Sequence, residues 1–278
     1  MNTVPSGDGT PIAFDRRGNG PPVILVDGAL CHRGMGPSTP LAELLARRFT
    51  VISYDRRARG ESGDTAPYAV AREVEDIETL VKQAGGAACL YGVSSGAALA
   101  LEAASRLHGI RKLVMYEPPF IVDGTRDPIS KEYWARIGES VAAGRRGEAV
   151  GLFLKAVGVP AVFLAMMRFT PVWSKLKAIA HTLPYDGALV QEYQQGRPLP
   201  AGRWASVTIP TLVMDGGKSP EWMRNGSRAL AGVLPNAQYR TLEGQTHMVK
   251  PDVHAPVLEA FYADAPTPAS SGPTTSGS

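Results

Sequence analysis

The sequence predicts an α/β protein in which a mostly parallel central sheet carries helices on both faces. Short apolar runs alternate with helix-like stretches over residues 1–119, and the same rhythm resumes at residue 208. The runs are apolar throughout, which is typical of strands that are buried on both faces of a sheet. Residues 120–207 lack a strand pattern, so we expect an inserted helical unit there.

Each element has its own signal. Five buried strands are predicted from apolar runs, at 22–27, 49–54, 87–93, 112–116 and 209–215, and a last strand is predicted at 238–242. Five helices are predicted between and after them, at 38–48, 68–84, 97–107, 221–234 and 256–262. In the second of these helices the apolar residues recur at helical spacing. Residues 12–15 are expected to add an antiparallel strand at the edge of the sheet.

The inserted unit and the C-terminus have different compositions. Four helical stretches are predicted in the insertion, at 133–143, 148–157, 161–169 and 172–181, with Pro160, Pro171 and Pro184 as breaks. Residues 265–278 are almost all Pro, Ser, Thr, Gly and Ala. Such a composition cannot bury apolar surface, so a disordered tail is expected. The predicted organisation is a core of residues 1–119 and 208–264, an insertion and a tail.

Composition narrows the function classes. The chain has 278 residues, 44% of them hydrophobic, which suffices for one full core. A net charge of +3 gives no indication of nucleic-acid binding. No apolar run reaches the roughly 20 residues of a membrane span, and the N-terminus lacks a signal-peptide pattern. Two cysteines make no disulfide framework. We therefore expect a cytoplasmic protein that binds neither nucleic acid nor membrane, while the oligomeric state stays open.

One pentapeptide carries the strongest chemical signal. Residues 92–96 read Gly-Val-Ser-Ser-Gly, which fits G-x-S-x-G directly after a predicted strand and before a predicted helix. In that context the serine sits on a sharp strand-to-helix turn that exposes its hydroxyl beside a helix N-terminus, where developing negative charge is favoured. Ser94 is therefore the predicted nucleophile.

With these features the chain resembles the α/β-hydrolase family over residues 9–263. Residues 26–29 (VDGA) stand where members usually have a His-Gly pair, and residues 55–62 (DRRARGES) resemble the family's D-x-R-G-x-G-x-S loop. Residues 244–247 (GQTH) resemble the loop that carries the family's histidine. The resemblance implies the α/β-hydrolase fold and identifies the insertion at 120–207 as a helical cap.

The resemblance also implies a base and an acid. The order nucleophile, acid, histidine selects His247 among five histidines as the general base. His254 is expected to face solvent. The usual position of the acid is occupied by Ser219, which cannot stabilise an imidazolium. Glu117 is the preferred replacement, because it follows a strand directly and some family members, haloalkane dehalogenases included, carry their acid there; Asp215 is the alternative.

The remaining site residues follow from position. The backbone N–H groups of Ala29 and Ser95 are the expected oxyanion donors. Asp27 is expected to point away and brace the loop. Residues near the oxyanion loop or on the apolar cap are expected to contact substrate, namely Cys31, His32, Met166, Met167 and Trp173.

These residues predict a reaction that needs no cofactor or metal. The expected activity is hydrolysis of a small, largely apolar carboxylic ester, thioester or lactone through an acyl-enzyme at Ser94. Two alternatives remain open. The same residues could serve carbon–carbon bond hydrolysis, acyl transfer or cyclisation, or the chain could be a ligand-binding relative without turnover.

Overall fold

A computed structural model of the protein describes residues 2–263, so the predicted tail lies outside the described residues. Eight strands form one sheet in the order β1-β2-β4-β3-β5-β6-β7-β8. They are β1 (Asn2–Pro5), β2 (Pro11–Arg17), β3 (Pro22–Val26), β4 (Thr50–Tyr54), β5 (Ala88–Val93), β6 (Ile110–Tyr116), β7 (Thr211–Gly216) and β8 (Ala237–Leu242). The order and directions confirm the predicted α/β-hydrolase fold.

The sheet is parallel from β4 through β8, and only its N-terminal end is antiparallel. β2 pairs antiparallel with both β1 and β4. The strand predicted at residues 12–15 therefore exists, but the edge position belongs to β1, which the sequence reading missed. β1 has only four residues, three of them exposed, and so short a segment offers little periodicity.

The central strands β3, β5 and β7 are buried on both faces, which explains their continuous apolar runs, whereas the edge strand β8 is partly exposed. Alternate side chains of β3 point to opposite faces. Val23 and Leu25 join a core cluster that includes residues of helices α1 and α10. Ile24 and Val26 join a second cluster that includes residues of α2, α3 and α9.

Ten helices accompany the sheet within residues 2–263. They are α1 (Ser38–Leu45), α2 (Val70–Gln83), α3 (Ser95–Arg106), α4 (Lys131–Ala142), α5 (Arg146–Ala156), α6 (Ala161–Met167), α7 (Pro171–Ile179), α8 (Leu183–Val190), α9 (Glu221–Val233) and α10 (Pro251–Tyr262). None of them is long and apolar enough to cross a membrane.

Helices α4 to α8 form the helical insertion, the segment between β6 and β7. Four of them lie close to the predicted positions, whereas α8 was not predicted. Pro184, interpreted as a break, lies in the first turn of α8, where a proline's missing N–H costs no hydrogen bond. Buried residues of the insertion, such as Trp134 and Val150, belong to the same core cluster as Ile24 of the sheet.

Candidate active site

Ser94 occupies a strained turn between β5 and α3. Its φ is 56° and its ψ is −129°, a conformation that is costly for any residue with a side chain. The glycines on either side permit the close approach of backbone that this turn needs. A Cβ on Gly92 would lie 2.5 Å from the Gly96 carbonyl oxygen, and a Cβ on Gly96 would lie 2.2 Å from the Val26 carbonyl oxygen. The predicted strand–turn–helix context of Ser94 is therefore present.

His247 and Glu117 form a hydrogen-bonded pair. The distance from His247 Nδ1 to Glu117 Oε2 is 2.7 Å. Glu117 is fully buried, and its Oε1 accepts a hydrogen bond of 2.7 Å from the Gly216 N–H. A carboxylate at Nδ1 fixes the proton on that nitrogen, so Nε2 is left free to accept a proton.

The backbone on both sides of this pair is held in place. Glu117 has a positive φ of 47° and donates its N–H to the Met214 carbonyl. The Tyr116 hydroxyl donates to the carbonyl of Thr246 at 2.7 Å. The strand end that carries the acid thus also fixes the loop that carries the histidine.

Asp215, the alternative acid, is bound elsewhere. Its Oδ2 accepts a hydrogen bond of 2.5 Å from the Tyr239 hydroxyl, and no hydrogen bond between described residues joins it to His247. Burial raises the pKa of Asp215 above its usual value. Ser219, at the usual position of the acid, is buried and its Oγ contacts no hydrogen-bond partner within residues 2–263. The structure therefore brings Glu117, and not Asp215, to the histidine.

Ala29 and Ser95 line one cavity together with Ser94. Neither backbone N–H donates to an acceptor among the described residues, so both are free to bind an oxygen of a ligand. Asp27 accepts a hydrogen bond of 2.5 Å from Ser38 Oγ, and burial raises its pKa to about 6. Its carboxylate bonds to helix α1, in keeping with the predicted loop brace.

The wall of this cavity comes from the insertion and is mainly apolar. Its apolar members lie on α4, α5, α8 and the flanking loops, and are Pro119, Ile129, Tyr133, Trp134, Phe153, Ala156, Val157 and Val190. Gln194 adds a fixed amide: its Oε1 accepts from Trp134 Nε1 at 3.1 Å, and its Nε2 donates to the Pro119 carbonyl at 3.0 Å. The sequence reading did not single out these wall residues, because only the packing of distant helices brings them together.

The residues predicted to contact substrate lie away from this cavity lining. Met166 belongs to α6, which buries none of its residues, and Met167 lies beside it. Trp173 lines a separate surface groove with α5 and the α4–α5 loop. Cys31 and His32 follow Ala29 in the chain but do not line the cavity. Burial raises the pKa of the Cys31 thiol to about 12.

A buried ionic network, which the sequence reading missed, lies beneath the cavity. Arg56 binds Glu73 at 2.7 Å and Asp186 at 2.8 Å, and Arg59 binds Asp186 at 2.8 Å. Ser95 Oγ also donates to Asp186, at 2.7 Å. Burial opposes ionisation of Asp186, but Arg59 and Arg56 outweigh it and lower the carboxyl pKa below its usual value.

His254 is buried, and the expectation that it faces solvent is wrong. It is 1% exposed and packs against the rings of Tyr91 and Tyr116. Burial lowers its pKa to about 3, so its ring is neutral at physiological pH. As for metals, residues 2–263 contain no group of three or more His, Cys, Asp or Glu side chains that could hold an ion.

The chain is similar to proteins of known structure and to one protein-family model. An alpha/beta hydrolase from Sphaerobacter thermophilus is 53% identical, with a TM-score of 0.85 over 94% of this chain and 100% of that one. Two more distant structures share the fold alone. An enol-lactonase from Burkholderia xenovorans is 19% identical, with a TM-score of 0.68 over 95% of this chain and 100% of that one. An esterase from Thermogutta terrifontis is 22% identical, with a TM-score of 0.64 over 94% of this chain and 95% of that one. The model of the Alpha/beta hydrolase family matches residues 27–256. The chain therefore belongs to the alpha/beta hydrolase family.

Proposed function

We propose that this protein is a serine hydrolase that cleaves small, largely apolar carboxylic esters, thioesters or lactones through an acyl-enzyme at Ser94. The observation that carries the proposal is the 2.7 Å hydrogen bond between His247 Nδ1 and the fully buried Glu117. It supplies a base of fixed tautomer although the usual acid position holds Ser219.

In the first half of the reaction, His247 Nε2 removes the proton of Ser94 as Oγ attacks the substrate carbonyl carbon. The carbonyl oxygen becomes an oxyanion and accepts hydrogen bonds from the N–H groups of Ala29 and Ser95. The tetrahedral intermediate then expels the alcohol or thiol, which takes the proton from His247, and the acyl group remains on Ser94.

The second half repeats these steps with water. His247 removes a proton from water, the hydroxide adds to the acyl carbon, and a second oxyanion forms at the same N–H groups. Collapse of this intermediate breaks the bond to Oγ, Ser94 regains a proton from His247, and the carboxylic acid leaves. Glu117 stays ionised throughout and stabilises the imidazolium.

The cavity supports an apolar substrate and a covering role for the insertion. Eight of the residues around Ser94 are apolar or aromatic and come from the insertion or from the loop after β6. The insertion adds two polar side chains to the lining, Asp186 and Gln194, and Gln194 is held by Trp134 and the Pro119 carbonyl. In this proposal residues 120–207 act as a cap that excludes water from the acyl group. No cofactor is required.

Labelling with a fluorophosphonate probe, mapped by mass spectrometry, tests the proposal. Wild type is expected to react at Ser94. Glu117→Gln is expected to slow labelling by on the order of 10³-fold, because the amide can donate to Nδ1 and so favours the wrong histidine tautomer. Asp215→Asn is the matched control, a neutralised buried carboxylate one strand away that binds Tyr239, and should stay within about threefold of wild type.

The outcomes separate the alternatives. If Asp215→Asn is the damaging variant, the acid assignment is wrong while Ser94 stands. A wild-type protein that does not label at Ser94 contradicts the hydrolase proposal and favours ligand binding without turnover. Where labelling succeeds, a series of p-nitrophenyl esters from acetate to decanoate, assayed by released p-nitrophenol, defines the acyl group that the apolar wall accepts.

A further inference from the structure

Arg59 contacts the backbone that carries one of the two oxyanion donors. Its Nη1 donates a hydrogen bond of 2.6 Å to the Gly28 carbonyl oxygen. That carbonyl and the Ala29 N–H belong to the same peptide unit. The only cis peptide bond among residues 2–263 is Ala66–Pro67, so the unit is trans and its N–H points away from its C=O. A donor fixed on the oxygen therefore fixes the direction of the Ala29 N–H.

The Ala29 N–H is available beside the cavity. Ala29 and Ser94 both line it, and the N–H is unused within the part of the chain that the structure describes. A Cβ placed on Gly28 would lie 3.0 Å from Ser94 Cβ, which shows how closely this peptide passes the nucleophile. A guanidinium on the carbonyl also polarises the peptide and strengthens its N–H as a donor.

The other end of Arg59 is held by the insertion. Its Nη2 binds Asp186 of α8 at 2.8 Å, and Arg59 is 1% exposed. Asp186 also accepts from Ser95 Oγ, the side chain of the second donor residue. The carboxylate of Asp186 is thus bonded directly to the side chain of Ser95. Through Arg59 it is also connected to the peptide that carries the Ala29 N–H.

We propose that Arg59, anchored by Asp186, is a positioning residue that orients the Gly28–Ala29 peptide so that the Ala29 N–H meets the oxyanion. This inference rests on the proposed function, because it assumes attack by Ser94. It assigns to position 59, a variable position of the loop motif, a role in stabilising the transition state. It also makes the geometry of the oxyanion site depend on how the insertion is docked.

Arg59→Met tests the inference. The substitution leaves Asp186 paired with Arg56, so no buried carboxylate is stranded. We expect kcat for p-nitrophenyl butyrate to fall by on the order of 10- to 100-fold with KM changed by less than about threefold. The inhibition constant of an alkyl trifluoromethyl ketone, whose adduct with Ser94 carries an oxyanion, should rise by the same factor.

Arg57→Met is the control for the loss of a buried arginine from this loop. It leaves the carboxylate of Asp76 with Ser6 as its remaining side-chain partner, so the comparison is made per competent site. Arg57 is equally buried and lies in the same loop, but it binds Asp76 and Asp8 and has no bond to residues 27–30. For Arg57→Met, kcat and the inhibition constant of the ketone should stay within about threefold of wild type. Both are expressed per competent site, and fluorophosphonate titration measures the number of such sites. If the role of Arg59 were purely structural, Arg59→Met would have fewer competent sites, but kcat and the inhibition constant per site would not change.

Four results overturn the inference. If Arg59→Met keeps the wild-type kcat and ketone affinity per site, the inference is wrong while the proposed function stands. Equal losses in Arg57→Met would show a general effect of buried arginines. A wild-type protein without labelling or turnover would remove the proposed function first, before any variant is compared. Should Arg59→Met not fold, Asp186→Asn is measured in the same way, because it removes the charge that anchors Arg59; unchanged kcat and ketone affinity per site in that variant contradict the inference.

Discussion

His247 and His254 follow the same strand, yet their surroundings give them opposite properties. The ring of His247 is partly exposed, and its Nδ1 is hydrogen-bonded to the carboxylate of Glu117. The ring of His254 lies between Tyr91 and Tyr116, and its Nε2 has no partner among the described residues. Residue type alone therefore says little about the chemistry of a histidine, since burial and partners decide it.

The burial of His254 has a consequence for stability at low pH. Its folded pKa of about 3 lies below the ordinary histidine value of 6.5, so the unfolded chain binds a proton that the folded chain rejects. This contribution is intact above pH 6.5 and is lost as pH falls towards 3. The slope between these values is up to about 1.4 kcal/mol per pH unit.

His254→Phe is expected to remove that slope while keeping an aromatic ring between the two tyrosines. Urea unfolding at pH 7 and pH 5 measures it: the free energy of unfolding should fall less on acidification in the variant, by about 1–2 kcal/mol. Other titrating groups are common to both proteins and cancel in the difference. An identical pH response of the two proteins would show that His254 already accepts a proton in the folded state.

At the level of elements, the turn between β5 and α3 depends on how closely α3 approaches β3. The backbone of Gly96 passes close to the end of β3. A Cβ placed on Gly96 would lie 2.2 Å from the Val26 carbonyl oxygen and 2.6 Å from that of Asp27. Backbone atoms cannot rotate away as a side chain can. The first turn of α3 and the end of β3 would have to separate, and the oxyanion loop begins at that end.

Gly96→Ala is therefore expected to destabilise the fold by roughly 2 kcal/mol or more and to slow fluorophosphonate labelling of Ser94 by over about tenfold. Gly138→Ala in α4 is the control, because a Cβ there meets no atom within 4 Å; it should stabilise by about 0.5–1 kcal/mol. Thermal unfolding and labelling rates measure both variants. Normal labelling in Gly96→Ala would show that α3 can shift without cost.

The difference between local and distant contacts explains what could be predicted from sequence. Ser94, Glu117 and His247 each follow a strand within a few residues, so their placement depends on the strand order that the apolar runs indicate. Arg59 and Asp186 are 127 residues apart, and no local pattern connects them. The cavity wall was unpredictable for the same reason. Met166 and Met167 were expected to contact substrate, but α6 packs mainly along α5 and buries none of its residues.

For the whole molecule, the important feature is that the insertion and the sheet share one core. The cluster that holds Ile24 of β3 extends through α3 to Trp134, Val150 and Trp173 of the insertion. Asp186 adds buried ionic bonds across the same boundary, and breaking such a bond on one side leaves a charge without compensation. The insertion is therefore expected to unfold together with the sheet.

Coincident unfolding curves test this expectation. Trp134, Trp173 and Trp204 lie between β6 and β7, whereas Trp222 lies in α9. In a Trp222→Phe variant, fluorescence reports on the insertion alone and far-ultraviolet circular dichroism on the whole chain. Their urea midpoints should agree within about 0.2 M. An earlier fluorescence transition would mean that the insertion opens independently of the sheet.

The strand order also bears on how such a protein can change during evolution. Ala29, Ser94 and Glu117 follow β3, β5 and β6, which are neighbours at the centre of the sheet, whereas His247 follows the edge strand β8. Mutations in the loop after β8 can remove the proposed base without changing the cavity lining, which does not include that loop. A descendant altered in this way would keep a shaped apolar binding site and lose turnover, so very few substitutions separate a catalyst from a receptor in this architecture.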